Sequence, residues 1–102
     1  MTITIDGYSN FKLYIRSYAE SNYDYVMVSQ LDQDLTSGST GSTYMKESTS
    51  GKQNSSTAIT GYTLVEFTGI DEGEHVITIA YRKDSSVNND DDRGYLLIPK
   101  DQ

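Results

Sequence analysis

The sequence contains no cysteine and no tryptophan, one proline and one histidine. Without cysteine there can be no disulfide, no thiolate nucleophile and no cysteine-ligated zinc. The compartment stays open, because secreted bacterial modules often lack cysteine too. The single histidine, His75, excludes a histidine-cluster metal site and leaves a catalytic triad without visible partners. It is expected to start a strand and pair with a nearby carboxylate. Cations are also scarce. Eight Lys and Arg face fifteen Asp and Glu, a formal net charge of −7. The basic stripe that nucleic-acid phosphates require is therefore missing. No apolar run exceeds that of Tyr95-Leu96-Leu97-Ile98, far short of the ~18–20 residues of a membrane span. The first residues, in which Thr and Ile alternate and Asp6 follows, are not expected to be a secretory leader, which leaves one upstream open. The glycines match no phosphate-binding pattern.

What is present is a thin aliphatic set and many tyrosines. Leu, Ile, Val and Phe number 21 of 102 residues, just above the ~20% below which charged chains are often disordered. Nine tyrosines tilt the balance toward folding, since each buries a large ring while keeping its hydroxyl solvated or bonded. The length fits one domain over residues 1–102, read as part of a longer protein.

The patterning is β almost throughout. Thr2–Ile5 alternates strictly. Phe11, Leu13 and Ile15 alternate with Lys12, Tyr14 and Arg16, giving a strand with one clear inner face. Asp24–Leu31 sets Val26 and Val28 against Tyr25 and Met27, a strand expected to be covered on both faces. Tyr62–Phe67, His75–Lys83 and Arg93–Ile98 complete the strong strands, and Pro99 ends the last. The inner face of His75–Lys83 is expected to be Ile77, Ile79 and Tyr81, with Tyr62 and Tyr81 as core fillers. Residues 36–57 are polar, with only Tyr44 and Met45 apolar. A structureless loop of that length is improbable inside a compact domain. Short edge strands around Thr43–Lys46 and Lys52–Ser56 are therefore expected, with a mobile tip near Ser37–Ser42. The expected fold is all-β: an antiparallel sandwich, jelly-roll or Ig-like, of seven or eight short strands.

Two residue classes can carry a site. Carboxylates cluster at Glu20, Asp24, Asp32, Asp34, Asp84 and Asp90–Asp92, and loops rich in Asp and Asn supply the oxygens that calcium takes. None has EF-hand spacing, and acidic loops between strands commonly serve as solvated turns. The tyrosines cannot all lie inside so small a domain. A ring flanked by Asp, Asn or Arg suits a sugar, whose faces stack and whose hydroxyls hydrogen-bond. Tyr18, Tyr23, Tyr25 and Tyr44, with Arg93, are the candidate ligand contacts.

Two segments, Ser17-Tyr18-Ala19-Glu20-Ser21-Asn22-Tyr23-Asp24-Tyr25-Val26 and Glu74–Ser86 followed by Asp92-Arg93-Gly94-Tyr95, resemble a β-sandwich module. That module is found in surface proteins of gut bacteria and in tail or virion proteins of their phages. The resemblance implies an extracellular, cell-surface or virion setting and no catalysis. A more distant likeness is to CUB-type jelly rolls, which share a Tyr-Asp-Tyr strand start and a late strand followed by Asp-x-Ser. That likeness implies calcium as a cofactor, held by Glu20, Asp24 and Asp84. The expected function is a non-catalytic adhesion or attachment module that binds a surface glycan or partner protein, without nucleic acid or membrane insertion. The alternative is a structural spacer, virion or homo-oligomerisation domain without a ligand.

Overall fold

The computed structural model describes residues 1–18, 25–35, 43–51, 61–82 and 93–102. The alternating segments form seven strands: β1 (Thr2–Asp6), β2 (Phe11–Tyr18), β3 (Tyr25–Ser29), β4 (Met45–Ser50), β5 (Thr63–Phe67), β6 (Glu74–Arg82) and β7 (Arg93–Leu97). They build two packed sheets, ordered β1-β6-β3-β4 and β5-β2-β7, and every pairing is antiparallel. The fold is the expected β-sandwich. No helix among the described residues is long and apolar enough to cross a membrane.

The inner faces supply the core. Phe11, Leu13 and Ile15 of β2 and Val65 and Phe67 of β5 meet Val26 and Val28 of β3, Ile77 and Ile79 of β6, and Ile5 of β1. Leu13, Ile15, Val28 and Ile77 are wholly inaccessible, and each such side chain contributes about 1.5–3 kcal/mol by leaving water. The outer face of β3 is covered as well: Met27, on the opposite side from Val26 and Val28, is also buried. Inside the core the hydroxyl of Ser17 donates to the Gly51 carbonyl at 2.8 Å, a polar tie from β2 to the residue after β4.

Several expectations are corrected. The polar middle does contain an edge strand, but it runs over Met45–Ser50 rather than Thr43–Lys46; the segment Lys52–Ser56 and the expected tip near Ser37–Ser42 lie outside the described residues. Tyr81 follows the inner-face alternation of Ile77 and Ile79 yet is 39% exposed. It lies at the rim of the sandwich, across from Gly94, which has no side chain to cover it. Tyr62 is half-buried rather than a core filler, because it projects with Arg16 from the outer face of the three-stranded sheet.

The four-stranded sheet has an irregular centre. Between Val28 and Ser29 the β3–β4 register shifts, so Ser29 pairs with Met45 and Lys46 is left over as a bulge, the usual way to bend a strand. Beyond this point β3 no longer supplies backbone partners to β6, and side chains take over. The Thr78 amide donates to Ser29 Oγ at 2.8 Å and the Val76 amide to Asp32 Oδ1 at 2.9 Å. In return the Asp32 amide donates to the Val76 carbonyl at 2.8 Å. Asp32 reaches this position with φ at +60°, a left-handed conformation that Asp tolerates better than most residues.

Candidate functional site

Register decides which side chains share a surface. On β2, Phe11, Leu13, Ile15 and Ser17 point inward, so Lys12, Tyr14, Arg16 and Tyr18 line the outer face. Their cross-strand partners complete rows over the sheet. Tyr18 lies opposite Arg93, Arg16 opposite Tyr95, and Tyr14 between Leu64 and Leu97. Cross-strand neighbours of this kind have Cβ atoms about 4.5–5.5 Å apart.

Arg16 organises this face. Its guanidinium carbon lies 4.0 Å from the centroid of the Tyr95 ring and 5.4 Å from that of Tyr62. A cation over a tyrosine face is attracted by the ring quadrupole, more strongly when desolvated. At 4% exposure Arg16 is desolvated, although it points away from the core. It therefore fixes two tyrosine rings on an otherwise open sheet. Beside them Leu64 and Leu97 are 47% and 39% exposed, and Arg93 is exposed at the end of the row. The face joins aromatic rings, apolar side chains and cations in a chain whose net charge is −7.

The candidate contacts divide on this map. Tyr18 and Arg93 share the outer face of the three-stranded sheet, in register. Tyr25 stands near them at the same end of the sandwich, but on the outer face of the other sheet, on the side of Met27. Tyr44, 55% exposed, lies at the opposite end of β3 and β4, where its carbonyl accepts the Gln30 amide. It is not part of one surface with the others. Tyr23, Glu20, Asp24 and Asp84 lie outside the described residues, and with them the calcium set. Among the described residues no group of three or more His, Asp or Glu is placed to hold a metal ion. Composition alone missed Tyr14, Arg16, Tyr62 and Tyr95. The two-residue period Lys12, Tyr14, Arg16, Tyr18 was the available signal for the first two.

A groove of about 480 Å³ runs along the inner side of β7, lined by Val26, Ile79 and Tyr81 on one wall and Gly94 and Leu96 on the other. At the far end of the sandwich His75 is held at both ring nitrogens. Nδ1 is 2.6 Å from Asp32 Oδ2 and Nε2 is 2.9 Å from the Asp71 carbonyl. With acceptors on both sides the ring is favoured as the imidazolium. The Asp32 hydrogen bond, then that of the Asp71 carbonyl, hold its pKa above the ordinary histidine value. The Asp32 carboxyl is correspondingly held below its usual range, first by His75 and then by the Val76 amide. His75 pairs with a carboxylate, as expected, and both its nitrogens are engaged.

No protein-family model, curated protein or solved structure matches this chain.

Proposed function

We propose that this chain is a non-catalytic attachment module that meets a surface glycan with the outer face of the β5-β2-β7 sheet. The observation that carries the reading is the pair of adjacent rows on that face, Tyr62–Arg16–Tyr95 and Tyr18–Arg93. Sugar rings present apolar C–H faces edged by hydroxyls. Tyrosine rings anchored on a buried guanidinium offer the stacking surface, and Arg93 offers donors to the hydroxyls. The non-catalytic part is supported by the resemblance and by His75, the single imidazole, whose two nitrogens are both engaged. The resemblance to surface and virion modules supports an extracellular, cell-surface or virion setting.

The test is an array of immobilised glycans probed with the intact chain. Binding is expected to fall about tenfold or more with Tyr18→Ala or Arg93→Ala. Tyr44→Ala, at the other end of the molecule, should leave it unchanged. A folded chain that binds no glycan, or a loss produced by Tyr44→Ala alone, contradicts the reading. Retention of a surface protein instead of a glycan would move the ligand class and keep the face.

A further inference from the structure

We propose that β7 is a self-pairing edge, and that two copies of this chain join there into one continuous six-stranded antiparallel sheet. β7 is an outer strand of its sheet, paired only with β2 among the described strands. The direction of its free groups follows from Gln102. The Lys12 amide donates to Gln102 Oε1 at 3.0 Å, and Gln102 Nε2 donates to the Lys12 carbonyl at 2.6 Å. Since β5 occupies the other side of Lys12, these backbone groups point toward β7. By alternation so do those of Tyr14, Arg16 and Tyr18, which makes their partners Leu97, Tyr95 and Arg93 the hydrogen-bonded residues. The N–H and C=O of Gly94 and Leu96 therefore face outward.

Those two residues complement each other. If a twofold axis passes beside Tyr95, Gly94 of one copy lies opposite Leu96 of the other, and each pair exchanges both of its backbone bonds. The side chains agree with this register. Val26 and Tyr81 pack directly on Gly94, and the groove that they line with Ile79 runs beside it, where the second copy's Leu96 would lie. Charge selects β7 among the outer strands. β1 ends in Asp6, β4 carries Glu47 and β5 carries Glu66, whereas β7 reads Arg93-Gly94-Tyr95-Leu96-Leu97. Two chains each bearing −7 meet there with a cation at each end and no carboxylate in the strand. Long charged residues are the usual guard against edge pairing, and the centre of β7 has none. The inference goes beyond the glycan reading and does not rest on it, because the dimer is measured without ligand.

The experiment is sedimentation equilibrium of the intact chain, with charge variants at Leu97. In the proposed register Leu97 lies opposite the second copy's Arg93, twice per dimer. Leu97→Glu should tighten the dimer and Leu97→Lys weaken it, each by roughly threefold to tenfold in dissociation constant. Because the chain has no cysteine, a single introduced thiol reports geometry independently. Under mild oxidation Tyr95→Cys should give a covalent dimer, since the residue faces its own copy across the axis. Arg93→Cys, which faces Leu97, should not. A chain that stays monomeric up to about 1 mM, equal cross-linking of both thiol variants, or Leu97 variants that shift the dimer without regard to sign overturns the proposal. In the monomeric case, strand addition by another protein is the remaining use of the edge.

Discussion

Two strand ladders in this protein run out and are closed by side chains, while a third row of backbone groups is left open. On β6 the ladder loses its backbone partner after the bulge at Ser29, and Ser29 Oγ and Asp32 Oδ1 replace it at Thr78 and Val76. At the far end of β2, Lys12 falls opposite Pro99 by continuation of the Tyr14–Leu97 register, and proline has no N–H to give. Gln102 supplies both missing bonds. On the outer edge of β7, by contrast, no described side chain closes the row. Where closure serves only the fold, the sequence places a polar side chain to complete it. Among the outer strands β7 is the one that carries no acid within the strand and runs beside a groove and a tyrosine platform, and there the geometry favours an interaction.

The sharpest challenge to this contrast asks whether β7 is open because it is loose. A Cβ at Gly94 would come within 2.8 Å of Val26 Cγ2 and 3.1 Å of Tyr81 Cδ2. Val26 is buried and β-branched, so it yields poorly. Gly94→Ala should cost about 1–3 kcal/mol by overpacking, read from urea unfolding. A neutral result would mean that β7 floats and its open edge is mere fraying.

The closed ladder can be broken next. Ser29→Ala removes the acceptor of the Thr78 amide at a fully buried position. The expected loss is about 1 kcal/mol, the cost of leaving the part-buried Thr78 amide without its acceptor. If the loss is negligible, the side-chain substitution is incidental.

A smaller effect appears as pH dependence. The raised His75 pKa adds stability that is fully present below about pH 6.5 and is lost as pH rises through the raised value. The lowered Asp32 pKa adds stability present above about pH 4 and lost as pH falls through the lowered value. The pair therefore stabilises most between those limits, with a decline on each side. In Asp32→Asn the alkaline decline of the melting temperature between pH 6 and 9 should flatten. The same slope in both proteins would show that the ion pair does not contribute.

The fold was legible because alternation is a local signal. Phe11-Leu13-Ile15 and Ile77-Ile79 declared their inner faces, and Met27 correctly announced a strand covered on both sides. The platform was less legible, since it depends on pairing order. Nothing local says that Tyr95 will lie beside Arg16, or that Tyr62, the residue before β5, will flank it. Of the candidate contacts, Tyr18 and Arg93 fall on one face, in register. Tyr25 points to the other sheet's outer face, because its alternation runs with Met27. Tyr44 is exposed, but at the opposite end of β3 and β4. Tyr81 was assigned to the core by period, and the period is right. What it could not reveal is that the facing residue is a glycine.

Amide hydrogen exchange, resolved by residue at two protein concentrations, tests the contrast most directly. The account predicts that Val76 and Thr78 exchange slowly at both concentrations, held by Asp32 and Ser29. Gly94 and Leu96 should exchange fast in dilute solution and slow markedly toward about 1 mM, as pairing covers the edge. Protection of Gly94 and Leu96 already present in dilute solution, or fast exchange of Val76 and Thr78, would contradict it.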